Sequence, residues 1–189
     1  MRNQKCFNIP EHVSQGDKAM GPSFHRMLFV AIFALFFACA CAGPIGDSYS
    51  YSPAVGSGSG TPYTITGQGR ITAVRLWENY NGHIRGIQLR YDYAWSLVAG
   101  YVSGEELLME LFDGEFIVQI SGKYSHYIQN LQIVTNRGRF LQAGQPYGTS
   151  FNLYPTNSQS ELRILSGRYH GGLTSIGAHW AIRYNTTMP

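Results

Sequence analysis

The sequence predicts an all-β protein built from three similar four-strand units. Three segments carry the same alternation of apolar and polar residues and begin 44 and 45 residues apart, at 84–91, 128–135 and 173–180. Alternation with a period of two is typical of strands that bury one face. The glycines repeat in step, because Gly122 is followed by Gly167 after 45 residues and Gly100 by Gly144 after 44. This internal repetition indicates a body with threefold pseudosymmetry.

The strands can be assigned in order from runs of β-branched and aromatic residues that end at turn-forming residues. These runs are 49–55, 63–66, 70–77, 83–91, 107–112, 116–121, 128–135, 140–143, 150–154, 162–167 and 179–184. Turns are predicted at 79–82, 113–114, 136–138 and 155–157, where Gly, Asn, Asp or Pro is present. Only 104–110 could be argued as helical, and it ends in an apolar run typical of a strand.

Residues 1–42 are predicted to be a leader, separate from the folded domain at 46–186. The apolar run at 27–40 follows His25 and Arg26 and ends in small residues, which is the pattern of a secretory signal peptide. The run is too short to cross a bilayer comfortably, so no stable membrane span is expected. Cleavage is expected to leave Ala42 or Gly43 as the first residue, and translation from Met27 is an alternative start.

Processing would change both the cysteine content and the charge of the chain. Cys6, Cys39 and Cys41 would all leave with the leader, so the secreted product is expected to have no disulfide. The formal net charge of +3 would fall to about +1, because the leader carries more basic than acidic residues. A chain so close to neutral is not expected to bind nucleic acid.

The residues give no pattern for catalysis. The four histidines of the domain do not stand at the spacing of metal ligands. The acidic pairs Glu105–Glu106 and Asp113 with Glu115 lie at turns or strand entries, where a solvated surface is the simpler interpretation. No nucleophile elbow or phosphate-binding loop is present. We therefore predict no enzymatic activity, no metal and no cofactor.

Three loops rich in glycine or tyrosine are the best candidates for binding, at 56–63, 122–127 and 167–172. Backbone amides, hydroxyls and aromatic faces are the groups that hold a neutral sugar, and these loops supply all three. The segment 56–60, Gly-Ser-Gly-Ser-Gly, allows two interpretations. It is either a flexible linker or a loop whose backbone closely approaches a ligand.

Four short motifs resemble the jacalin-related lectins, in particular the animal branch of that family. They are Gly-Lys-Tyr at 122–124, Gly-Thr-Ser-Phe-Asn at 148–152, Ser-Gly-Arg at 166–168 and Ile-Gly-Ala-His-Trp at 176–180. The resemblance covers nearly all of the mature chain. It implies a β-prism of three four-stranded Greek-key sheets, secretion into granules or mucus, and binding of mannose-type glycans or sulfated glycosaminoglycans.

The resemblance also implies a sugar site at one end of the prism, made of three loops. The glycine-rich loop corresponds to 56–61, the recognition loop to 123–127 and the binding loop to 170–174. The ligand-binding residues implied in this way are Gly58, Gly60, Lys123, Ser125, Tyr127, Gly171, Gly172, Leu173 and Thr174.

The binding loop departs from the family pattern at two positions. His170 stands where the family has glycine, and Thr174 stands where the family has an aspartate that accepts two sugar hydroxyls. Bonds to a carboxylate are roughly twice as strong as neutral ones, so the change is expected to cost about 2–4 kcal/mol of binding free energy. Sulfated or extended chains are therefore favoured over simple mannose, with Lys123, Arg168 and His170 attracting the anion.

The sequence thus predicts a secreted lectin of granules or the extracellular space whose partners are glycans or glycosaminoglycans. The alternative is a lectin-fold interaction protein that has lost sugar binding and contacts granule or mucus glycoproteins. Asn185 begins the sequon Asn-Thr-Thr and is a candidate glycosylation site.

Overall fold

The structure is a computed structural model that describes residues 49–183, and within this range it contains strands and turns but no helix. The strands, in chain order, are β1 (Tyr49–Gly56), β2 (Thr61–Ile65), β3 (Ile71–Glu78), β4 (Ile84–Tyr91), β5 (Ala94–Trp95), β6 (Ala99–Gly100), β7 (Glu105–Glu110), β8 (Ile117–Tyr124), β9 (Ile128–Thr135), β10 (Phe140–Gly144), β11 (Thr149–Leu153), β12 (Ser160–Tyr169) and β13 (Leu173–Ile182). The predicted leader, the cleavage site and Asn185 lie outside the described residues.

The strands form three antiparallel sheets around one core. Sheet A has the order β1-β13-β12-β2, and sheet C has the order β10-β9-β8-β11. Sheet B has the order β5-β4-β3-β7, with β6 also pairing with β4. The first and last strands pair in sheet A, which closes the body. The predicted all-β prism of three sheets is confirmed, except that one outer strand of sheet B is split into β5 and β6.

The repeated segments are the inner strands β4, β9 and β13. Their first, fourth and sixth residues all have no exposed surface: Ile84, Ile87, Leu89, Ile128, Leu131, Ile133, Leu173, Ile176 and Ala178. Each sheet therefore contributes the same three positions to the shared core. The fourth and sixth residues keep the predicted period of two, whereas the first reaches the same face because the pairing of each inner strand skips one residue after it. Complete burial of one isoleucine or leucine stabilises the fold by about 1.5–3 kcal/mol.

A glycine begins an equivalent loop in each unit. Gly56, Gly100 and Gly144 have φ of 122°, 94° and 79°. A Cβ on any of them would lie 2.0–2.2 Å from a carbonyl oxygen of the adjacent inner strand. A second left-handed glycine follows four residues later in every case, at Gly60, Gly104 and Gly148. Only glycine fits at these positions, where φ is positive and the loop lies close to neighbouring backbone, so the fold sets the Gly-x-x-x-Gly spacing.

Two sequence-based assignments need correction. The helical alternative for 104–110 is wrong, because this segment is the edge strand β7 paired with β3, and its Met109 is 5% exposed and packs in the core. The strand predicted at 179–184 is the end of the longer strand β13, which begins at Leu173. A bulge between Ser52 and Val55 interrupts the pairing of β1 with β13.

The solvated surface expected at Glu115 is wrong, because Glu115 is a buried carboxylate, 2% exposed, between β7 and β8. It accepts hydrogen bonds from the Phe112 amide (2.8 Å), the Thr135 hydroxyl (2.6 Å) and the Arg139 guanidinium (2.6 Å). Burial alone would raise the pKa of Glu115, but these hydrogen bonds and the Arg139 charge outweigh burial and lower the pKa. Its role is therefore structural and not catalytic.

Candidate functional site

Three hairpin turns meet at one end of the prism, which we call the apical end: 79–83, 125–127 and 170–172. The His83 ring stacks on the Tyr127 ring, with centroids 4.0 Å apart and planes at 11°. A Cβ on Gly172 would lie 2.5 Å from the His83 ring. Residues 83, 127 and 172 are equivalent positions of the repeat, each directly before an inner strand. The His83 and Tyr127 rings fill the centre of the apical end, and the third equivalent position, 172, has room only for glycine.

Tyr127 connects the recognition loop to the binding loop. The His126 ring packs edge-on against it at 4.6 Å, while the Tyr127 hydroxyl lies 3.2 Å from where a Cβ on Gly171 would be. The pKa of His83 is lowered, chiefly because burial disfavours its charged form, with the charges of Arg85 and His126 adding to the effect. The ring under Tyr127 is therefore neutral at physiological pH.

Arg85 supports the binding loop from strand β4. Its Nη1 donates to the carbonyl oxygen of Gly171, and its Nε donates to the Ser103 hydroxyl at 3.1 Å. Its guanidinium also lies over the Tyr101 ring, 5.3 Å from the centroid. Sequence reasoning missed both His83 and Arg85. The repeat itself was the available signal, because the two residues are equivalent to Tyr127 and Thr174.

Four hydrogen bonds hold the glycine-rich loop to the other two loops and to β12. Ser57 Oγ donates to the His126 carbonyl at 2.6 Å, and the Gly58 amide donates to the Thr174 carbonyl at 3.3 Å. Thr174 Oγ1 donates to the Ser59 carbonyl at 2.5 Å. Arg168 Nη1 donates to the Gly60 carbonyl at 2.7 Å. Of the two interpretations of 56–60, these bonds favour a positioned loop over a flexible linker.

The structure separates the nine implied ligand-binding residues into surface and interior groups. Residues with exposed or half-buried positions are Gly58, Gly60, Lys123, Ser125, Tyr127 and Gly171. Gly172, Leu173 and Thr174 are buried, and Thr174 has no exposed surface at all. Thr174 therefore presents no atom at the surface, and its hydroxyl is already used by the glycine-rich loop.

Two of the surface residues have further polar partners. The Ser125 hydroxyl accepts a hydrogen bond from Gln129 Nε2 at 2.8 Å, which leaves its own proton available. Lys123 Nζ donates to the Ser150 hydroxyl on β11 at 3.1 Å. Lys123 thus lies along the side of sheet C, next to the recognition loop, and Ser125 lies in the turn itself.

The three candidate binding loops have basic side chains in or beside them but no acidic residue. Segments 56–61, 123–127 and 170–174 contain neither Asp nor Glu. His126, Arg168 and His170 are exposed at or beside these segments. The candidate site is therefore neutral to positive, which suits a neutral or anionic ligand better than a cation.

The described acidic and histidine side chains do not form a metal site, and two of the acids are paired with arginines. Within 49–183, no three His, Cys, Asp or Glu side chains come together as a possible metal site. Glu106 pairs with Arg75 at 3.0 Å, and Glu115 is the buried partner of Arg139. Over the same range, no helix is long and apolar enough to cross a membrane.

Comparison with known proteins identifies the family. Residues 52–179 match the model of the jacalin-like lectin domain. Human zymogen granule membrane protein 16 is 39% identical over 160 residues, covering 82% of this chain and 95% of that protein. Residues 1–51 lie outside the range that the family model matches.

Solved structures agree with this assignment. A prostate-specific WGA16 glycoprotein lectin matches with a TM-score of 0.64 and 28% identity, covering 71% of this chain and 100% of its own. The mannose-binding lectin from Champedak matches with a TM-score of 0.61 and 23% identity over 73% of this chain and 100% of its own, which shows the shared fold. With the match over 52–179, this chain belongs to the jacalin-like lectin family, which binds carbohydrate and is not enzymatic.

Proposed function

We propose that this protein is a secreted lectin that binds glycans at its apical end. One observation carries the proposal: three loops from different parts of the chain are joined into one surface. The glycine-rich loop bonds to the recognition loop through Ser57 and to the binding loop through Thr174. The surface that results presents Gly60, Ser125 and Tyr127 together with Gly171. Pre-positioned polar groups of this kind bind a ligand without a large ordering cost.

Each of these residues has a defined part in the proposed contact. Gly60 exposes its backbone beside Arg168, and Ser125 has a proton to donate because Gln129 supplies its acceptor bond. One face of the Tyr127 ring is covered by His83, so the ligand meets mainly its hydroxyl and free edge. Gly171 has no side chain, so its backbone lies directly beside that hydroxyl.

The ligand class we favour is an extended or sulfated glycan chain. Thr174 is buried at the position where the resemblance implies a sugar-binding aspartate, so a strong neutral-sugar acceptor is missing. Arg168, His170 and Lys123 lie in or beside loops that contain no carboxylate, and this favours anionic groups. The mannose-binding lectin from Champedak, which shares the fold, supports mannose-type chains as the other class.

The burial of Thr174 also favours a second candidate function. A protein without the family acceptor serves equally as an interaction module that contacts granule or mucus glycoproteins through protein surfaces. Salt separates the two functions, because binding of a sulfated chain weakens as ionic strength rises, whereas apolar protein contact does not. The name of the human zymogen granule relative supports a role in the secretory pathway for either function.

Secretion itself is part of the proposal. Residues 1–42 are proposed to be removed as a leader, leaving a lectin domain at 46–186 with no cysteine. Asn185 is proposed as a glycosylation site. The intact mass of the secreted product tests both points, and a product that retains Cys39 or Cys41 contradicts the cleavage.

A glycan array that includes sulfated chains, probed with the mature protein, tests the binding function. Tyr127→Phe keeps the stack on His83 and removes only the hydroxyl, so we expect about 2- to 10-fold weaker binding with little change in melting temperature. Tyr154→Phe is the matched control, because Tyr154 is 64% exposed at the opposite end of sheet C. Equal binding by both variants and the wild type would contradict the apical site.

A further inference from the structure

A groove of about 320 Å³ lies on the outer face of sheet A, between β1 and β12. Tyr51 and Ala54 of β1 line one side, and Ser166 and Arg168 of β12 line the other. Its upper end is formed by Gly56 and Gly58, so the groove begins at the glycine-rich loop. The groove is therefore continuous with the apical surface, and Ser175, which directly follows the binding loop, also lines it.

The bulge in β1 positions an aromatic wall for this groove. The Ala54 amide donates a hydrogen bond to the Tyr51 hydroxyl at 3.3 Å, across the interrupted pairing. The Tyr51 ring also packs on the His179 ring, with centroids 4.5 Å apart. Tyr51 nevertheless remains 53% exposed. Bulges commonly turn a side chain toward a functional surface, and here the bulge fixes an exposed ring beside a polar cleft.

The opposite wall and the floor are polar. The Ser166 hydroxyl lies 3.3 Å from His179 Nε2, and burial lowers the pKa of His179, so this ring is neutral at physiological pH. Arg168 uses one Nη for the Gly60 carbonyl and is exposed at the rim. Four N–H groups of its guanidinium remain for other partners. A hydroxyl, an aromatic ring and a cation thus face the same cleft.

We propose that this groove is a second sugar subsite, which takes the next residue of a chain whose first residue is held at the apical site. The inference rests on the proposed lectin function and extends it from one sugar to an oligosaccharide. The Tyr51 ring stacks on the C–H face of the sugar, and Ser166 donates to or accepts from its hydroxyls. Arg168 makes a sulfated or carboxylated residue the preferred occupant.

The experiment compares Tyr51→Ala with Tyr49→Ala. Tyr49 is the matched control because it lies two residues earlier on the same face of β1 and is 51% exposed, against 53% for Tyr51. The probes are mannose and sulfated or unsulfated oligosaccharides of increasing length. We expect Tyr51→Ala to weaken binding of the longer chains about 3- to 10-fold and to leave the shortest bound glycan unaffected. Tyr49→Ala is expected to match the wild type.

The outcomes separate this inference from the function on which it rests. If Tyr127→Phe weakens the binding of all glycans but Tyr51→Ala changes the binding of none, the apical site is supported and the second subsite is wrong. The subsite is also wrong if Tyr51→Ala weakens short and long chains equally. If the wild type binds no glycan, both proposals fail. Tyr51→Phe keeps the ring and is expected to stay within about twofold of the wild type, which guards against a folding defect in the alanine variant.

Discussion

Replacing Thr174 tests whether the apical surface depends on one buried hydroxyl. This hydroxyl donates to the Ser59 carbonyl at 2.5 Å, and the Thr174 carbonyl accepts from the Gly58 amide at 3.3 Å. The glycine-rich loop is thus attached to β13 at both Gly58 and Ser59. Because Thr174 has no exposed surface, water cannot replace its hydroxyl without opening the loop.

The size of the effect follows from these contacts. Thr174→Val keeps the volume but leaves the Ser59 carbonyl without its donor, which costs about 1–3 kcal/mol of unfolding free energy. For a domain of this size, that loss lowers the melting temperature by about 2–12 °C. Thr174→Ser keeps the hydroxyl and loses one methyl group, so its cost is about 1 kcal/mol. Thr174→Asp sets a carboxylate against a carbonyl oxygen and is expected to cost more than Thr174→Val.

Urea unfolding gives the stability of each variant, and amide hydrogen exchange over 57–60 reports whether the loop opens. Glycan binding by Thr174→Val is expected to fall together with protection of the loop, while Thr174→Ser retains both. Two results would refute the reasoning. One is a Thr174→Val protein as stable and as protected as the wild type. The other is a Thr174→Asp protein that binds mannose more tightly, which would mean that position 174 faces the ligand.

Two further predictions concern the core and the buried carboxylate. Ile133→Ala removes a side chain with no exposed surface and is expected to lower the unfolding free energy by about 2–5 kcal/mol in urea titrations, whereas truncating the exposed Tyr154 should change it by less than about 0.5 kcal/mol. Glu115 has a folded pKa below its ordinary value of 4.5, so its contribution is present above that pH and lost as pH falls through the folded pKa. Glu115→Gln should therefore be less stable than the wild type at pH 7, with the difference shrinking below about pH 4.5.

The inner strands could be predicted from sequence because each of them buries one complete face. The apolar residues at the first, fourth and sixth positions of β4, β9 and β13 are all buried, so the repeated pattern identifies these core positions. β5 and β6 could not be predicted in this way. Each is only two residues long, and Ser96 lies in the segment between them. Its amide donates to the Leu89 carbonyl, and its hydroxyl donates to the Leu97 carbonyl. No alternation is needed for such short pairings.

The sequence was sufficient to predict which loops form the candidate site, but not which of their side chains face the surface. Resemblance placed Thr174 in the binding loop, yet the hydrogen bond to Ser59 that turns its side chain inward is a contact between residues 115 positions apart. The role of His83 could not be predicted for a similar reason. Its contact with Tyr127 joins two sheets, so no local pattern around residue 83 indicates it. Comparing the same position in all three repeats is the only sequence signal that finds it.

The repeat also explains why the candidate site uses two of the three equivalent turns, 125–127 and 170–172. Positions 85, 129 and 174 hold Arg, Gln and Thr, and each bonds to an apical loop: to Gly171, Ser125 and Ser59 respectively. Positions 83, 127 and 172 differ more, because two carry rings and the third carries glycine. The His83 ring occupies the space over Gly172, and the Tyr127 hydroxyl reaches the space over Gly171. These differences break the threefold symmetry at the turn of sheet A, 170–172, and the glycine-rich loop 56–61 is attached beside that turn through Thr174.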